Sequence, residues 1–157
     1  MLKSFLSSVF QVTPKTLRRW FSRFSNTRFI VTAGAIVLDE QDRLLLLKHV
    51  FRAGSGWGIP GGFVQAGEQP EEAVRRELRE EVGLELAEAE LVFLRTLKRI
   101  RQIEIIFSCR AFGKARPRSV EVEQAAWFRL SELPDTLSED QRWLIKRTLG
   151  RGANRPN

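Results

Sequence analysis

Glu77, Glu80 and Glu81 stand at i, i+3 and i+4. On a helix that spacing puts three carboxylates on one face, where like charges repel and cost stability. A cation must offset them. Hard oxygen ligands at this density suit Mg²⁺ or Mn²⁺, which take carboxylates, water and substrate phosphates. Such an ion can clamp a diphosphate and lower the pKa of a bound water. A bare E-x-x-E-E is most often only a solvated acidic helix face. The surrounding residues decide between the two readings.

The helix that must carry these side chains is legible. Pro70 suits a first helical turn, where its missing N–H is not needed. Glu71 and Glu72 follow in that turn, where the helix dipole favours negative charge. Gly83 sits where a helix ends in a left-handed residue. The spacing predicts a helix over 70–82, with Ala73, Val74 and Leu78 as a stripe that packs on a sheet. Before it runs Trp57-Gly58-Ile59-Pro60-Gly61-Gly62, whose glycines let backbone approach a ligand closely.

Around this helix the chain alternates strands and turns. Residues 29–38 and 43–50 read as strands, the second so rich in leucine that both its faces must be buried. Residues 91–98 and 102–112 read as a hairpin around 99–101, and 120–130 as a last strand. Ser138 starts a second helix to about Leu149, with Gln141 completing a capping box and a frayed tail over 150–157. Strands on either side of one helix, closed by another, give a mixed sheet sandwiched between helices, an α/β class. One domain of this length holds a full core.

Gly62, Glu68, Arg76, Glu77, Leu78, Glu80, Glu81, Gly83 and Leu84 form the pattern G-x5-E-x7-R-E-U-x-E-E-x-G-U, U being a bulky aliphatic. Every defined position is filled. The stretch resembles the signature box of Nudix hydrolases, enzymes that cleave nucleoside diphosphates linked to another group. The element order over 29–149 resembles the Nudix α/β/α sandwich. The resemblance implies that Glu77, Glu80 and Glu81 bind metal, with a main-chain oxygen of Gly61 or Gly62 as a further ligand. It implies that Glu68 and Arg76 brace the loop against the helix by ion pairing. It places a second ligand or general base outside the box. Glu121 is the first choice and Glu123 the second, against the reading of an edge-strand carboxylate in water. Lys48, Phe51 and Arg52 are expected at the phosphates or the base. Trp57 reads either as a base platform or as ordinary core. The single histidine, His49, suits a general base by its ordinary pKa, but the family usually employs a glutamate there, and a lone histidine is more often structural.

The implied reaction is Mg²⁺-dependent hydrolysis of a diphosphate bond in a small-molecule nucleotide. The alternative is a Nudix-fold binding or membrane-recruited regulatory protein with the chemistry lost, against which the intact glutamates weigh. The position where ADP-ribose-cleaving members carry a proline holds Ile100. The chain has no tyrosine, which the diadenosine-polyphosphate mark requires, and it lacks the NADH-type string.

Charge is unevenly placed. The net charge is +7, and residues 1–28 hold Lys3, Lys15, Arg18, Arg19, Arg23 and Arg28 with no acid. Within this arm Leu17, Trp20, Phe21 and Phe24 share one face of an amphipathic basic helix. That stripe fits packing on the domain or on a second copy, or insertion at an anionic membrane surface. The arm is Arg-bearing and acid-poor as transit peptides are, and has no apolar core of secretory-signal length. A stable nucleic-acid partner is not expected. The one cysteine, Cys109, allows no internal disulfide and reads as a buried core thiol. A cytoplasmic location is expected, with peripheral contact at a membrane through residues 1–28 as one of the open readings of the arm.

Overall fold

The computed structural model describes residues 14, 27–51, 54 and 56–152, the last two as backbone only. The amphipathic helix of the arm, with Leu17, Trp20, Phe21 and Phe24, and Arg52 lie outside these residues. Seven strands form one sheet: β1 (Ile30–Leu38), β2 (Leu44–His49), β3 (Trp57–Gly58), β4 (Gly61–Phe63), β5 (Leu86–Leu97), β6 (Gln102–Ala111) and β7 (Val122–Phe128). Among the described residues two helices cover it, α1 (Pro70–Val82) and α2 (Glu139–Gly152). The main path is β3-β2-β1-β6-β5, with β4 on β1 and β7 on β2. Among the described strands only β1 and β6 run parallel, from Ile30 opposite Gln102 to Leu38 opposite Arg110. The sheet is therefore mixed.

Each face of the sheet buries one helix. Ala73, Val74, Leu78 and Val82 of α1 pack with Ala35, Val37, Leu45, Leu47 and Phe107. Leu144 and Ile145 of α2 pack with Ile36, Leu44, Leu46 and Ile106 on the other side. Leu44 to Leu47 have no exposed surface at all, as a strand covered on both faces requires. This is the expected α/β/α sandwich.

The strands that position the site do so by separating. β1 and β2 pair only where Leu38 meets Leu44. Beyond that point they diverge, and residues 57–63 fill the gap as a wedge. Trp57 and Gly58 continue the ladder from β2, while Gly61 to Phe63 pair with Thr32 to Gly34 of β1. The Ala35 N–H donates to the Pro60 carbonyl at 3.0 Å, closing the wedge. The glycine-rich turn is thus pinned by backbone bonds directly in front of α1.

The ends of the elements differ from expectation in three places. β5 begins at Leu86, five residues earlier than the hairpin reading, because β6 is long enough to pair with it throughout. α2 runs to Gly152 rather than Leu149. The capping box of α2 is half formed. Ser138 Oγ accepts the Gln141 N–H at 3.3 Å, but the Gln141 side chain accepts the Ile59 N–H at 3.0 Å instead of turning back. A partner far along the chain has outcompeted the local one.

Candidate active site

Arg76 is the centre of the arrangement. Its Nε donates to Glu68 Oε1 at 2.8 Å, and its Nη1 to Glu77 Oε1 at 2.8 Å and Glu80 Oε2 at 3.3 Å. Its Nη2 donates to the Phe63 carbonyl at 3.0 Å. Glu68 in turn accepts the Gln65 N–H at 2.9 Å. One guanidinium therefore ties the loop that follows β4 to the middle of α1. The Arg76 bond, then the Gln65 N–H, holds the Glu68 carboxyl below its ordinary range. The same bonds, Glu68 first, raise Arg76 further above its already high value. Arg76 and Glu68 thus form an ion pair between the loop and the helix.

The three glutamates sit in different surroundings. Glu77 lies against Gly62, its carboxylate occupying the space a Cβ would take. Glu81 is buried, and His49 Nε2 lies 3.4 Å from its Oε1. Glu80 is more than half exposed. Arg76 and His49 thus hold the carboxylates, and among the described residues no three His, Cys, Asp or Glu side chains converge as a ready-made metal cluster. The chemistry of the donors still fits a divalent ion. They are hard oxygens on one helix face, beside a backbone turn that only glycine can make. Mg²⁺ commonly takes one or two carboxylates and completes its shell with water and phosphate.

The remaining predicted residues divide. Glu121 is exposed just before β7, and its carbonyl accepts the Val50 N–H at 2.9 Å. That places it one residue past the His49 end of β2. Glu123 is the bulged residue of β7 and pairs with Lys48 at 3.1 Å. Lys48 therefore has a carboxylate partner. Phe51 is 82% exposed in the loop after β2. Trp57 packs in the α2-side core, edge-on to Phe128 at 5.3 Å, which favours the core reading over a base platform.

A cleft opens beside the glycine turn, lined by Thr32, Ile59, Gly61, Gln102, Glu104 and Gln141. Its volume is about 120 Å³. Ligand pockets usually hold about 300–1,000 Å³, so this cleft is too small to enclose a whole nucleotide.

The NUDIX domain family model matches residues 28–148. The chain belongs to the Nudix family. It is a Nudix hydrolase. It is 31% identical over 112 residues to a MutT-like protein of Streptomyces ambofaciens, covering 69% of this chain and 70% of that one. It is 31% identical over 115 residues to the ADP-ribose pyrophosphatase of Methanocaldococcus jannaschii, covering 70% and 68%. The crystal structure of a MutT Nudix hydrolase from Burkholderia pseudomallei matches with a TM-score of 0.67 at 28% identity, over 77% of this chain and 98% of that one. Several other curated relatives are much longer, and this chain spans less than half of their length.

Around the Nudix box the fold gives residues contacts that sequence patterns did not assign to them. Gln141 reaches the Ile59 N–H from the start of α2. Arg95 holds α2 in place through a two-pronged pair with Asp140 at 2.7 and 2.6 Å, and reaches Glu104 on the cleft wall. Arg118 and Arg116 dock the loop after β6 onto the end of α1, their N–H groups donating to the Glu81 and Val82 carbonyls. The Arg118 guanidinium lies over Gly83. Only the mixed polar character of α2 and the basic run 114–118 hinted at these roles.

Proposed function

We propose that this Nudix hydrolase cleaves the diphosphate bond of a nucleoside diphosphate joined to a second group, or of a nucleoside triphosphate, in a magnesium-dependent reaction. The observation that carries the reading is the placement of Glu77, Glu80 and Glu81 on one helix, braced by Arg76 against the Gly61–Gly62 turn. Glu77, Glu80, Glu81 and the Gly62 main chain would hold Mg²⁺, or Mn²⁺, with substrate phosphates completing the shell. Bound there, the ion neutralises phosphate charge and acidifies water.

The chain's own residues do the rest. The cleft beside Ile59 and Gln141 takes the nucleoside, which leaves the diphosphate over the glutamates. Arg116 and Arg118, whose loop is bonded to the far end of α1, are the nearest cations for the group released. Glu121, beside the end of β2, accepts the proton of the attacking water. The products are a nucleoside monophosphate and a phosphorylated partner, or pyrophosphate from a triphosphate.

The substrate panel that tests this includes nucleotide sugars, dinucleotides, ordinary and oxidised triphosphates, and ADP-ribose. ADP-ribose belongs in it because of the archaeal relative, despite Ile100. Glu80→Gln should lower turnover on the order of 10²-fold, as loss of one strong electrostatic stabiliser does. Equal rates for the two proteins would remove the glutamates from the mechanism.

A further inference from the structure

At the end of the sheet where β1 begins, two exposed segments are bonded together. The Ile30 N–H donates to the Arg101 carbonyl at 2.9 Å, and Ile30 is in register with Gln102. This joins residues 27–30 to the tip of the β5–β6 hairpin, residues 98–101. All eight residues are exposed. Four are cations: Arg28, Lys98, Arg99 and Arg101. Three are large and apolar: Phe29 at 42%, Ile30 at 52% and Ile100 at 56% exposure. None is acidic, and none of the four cations makes an ion pair with a described residue, unlike Lys48, Arg76 or Arg95. The tip turns through Arg101 with φ of 50°, and Ile100 lies exposed next to it in the chain.

We infer that this face docks on an acidic phospholipid bilayer, the cations meeting headgroups and Phe29, Ile30 and Ile100 entering the interface. Interfacial binding combines buried apolar area with attraction to anionic lipid, and this patch supplies both. Charge argues against the alternatives. The chain preceding Thr27 is covalently attached here and carries Lys3, Lys15, Arg18, Arg19 and Arg23 with no acid. Folding it back over the patch would set cation on cation. Pairing the patch with its own copy would do the same. Next to a bilayer, the two sets of charge add. A polyanionic nucleic acid would satisfy the charges, but of the three apolar side chains only Phe29 offers a ring to stack on a base, and Ile30 and Ile100 have no use there.

The inference is independent of the hydrolase reading, and its test needs no substrate. Full-length protein is sedimented with phosphatidylcholine vesicles and with vesicles that also contain phosphatidylserine, at low and high salt. Binding is expected only with phosphatidylserine, and is expected to weaken at high salt. Each basic residue near such a surface is worth about fivefold in binding. The double variant Lys98→Glu with Arg99→Glu should therefore weaken it more than tenfold, and Ile100→Asp should weaken it with no change in basic charge. All three positions are exposed, and circular dichroism checks that the fold is kept. Unchanged binding in both variants would assign the contact to the preceding chain alone and overturn the inference. So would binding to single-stranded RNA without binding to vesicles. A dimer that these variants dissociate, with no vesicle binding, would overturn it as well.

Discussion

Gly62 shows how a single residue type sets the distance between a loop and a helix. The Glu77 carboxylate occupies the volume any side chain at position 62 would need. Gly62→Ala must push Glu77, and with it Arg76, off the turn. Misplacement by about 1 Å can cost 10²-fold in rate. We expect turnover to fall at least tenfold with circular dichroism unchanged, and steady-state kinetics checks this. Wild-type rates would show that Glu77 need not touch the turn. Cys109 illustrates the opposite case, a reactive group made inert by its surroundings. Burial pushes its thiol up to about 12. A maleimide reagent at mildly alkaline pH should leave the folded protein unlabelled and modify it fully in denaturant. Rapid labelling of the native protein would contradict the burial of this strand.

Among the elements, α2 acts at a distance from its own sequence neighbours. Its first turn lines the cleft, and Gln141 holds the Ile59 N–H two residues before the glycine pair. Gln141→Ala leaves that part-buried donor without its partner, which costs about 1–3 kcal/mol. Thermal unfolding should register the loss. Gln141→Glu keeps an oxygen acceptor and should restore most of it. The same end of α2 carries an acid-sensitive tie. Arg95 holds the Asp140 carboxyl below its ordinary value. A carboxyl depressed in the folded state stabilises above its unfolded pKa, about 3.9, and loses that contribution as pH falls through the folded value. Asp140→Asn should therefore be less stable than wild type near neutrality, with the gap closing below about pH 4. A gap that stays constant with pH would remove Asp140 from the tie.

For the whole molecule, the sandwich and the candidate site were unequally legible. Local rules carry the helix of the box completely. Pro70 and Gly83 bound it, and i, i+3, i+4 spacing fixes its acidic face whatever packs around it. The unbroken leucines of β2 told that both faces of the sheet are covered, because apolar runs have no other place to go. The box motif also carried the loop brace, since Glu68 and Arg76 lie eight residues apart and meet across one turn of chain. What the sequence could not give depends on elements distant in the chain. No pattern in residues 30–63 says that β1 and β2 part after Leu38 and leave a wedge for the glycine turn. Nothing near Gln141 says that its partner is Ile59 rather than Ser138. His49 could not be matched to Glu81, nor Lys48 to Glu123, before the strands were in register. The sequence by itself determined which groups could do chemistry, because helix geometry repeats every few residues and is written locally. The tertiary structure alone decided which of them meet, because strand register and helix docking are set by the collective burial of apolar faces, not by any one segment.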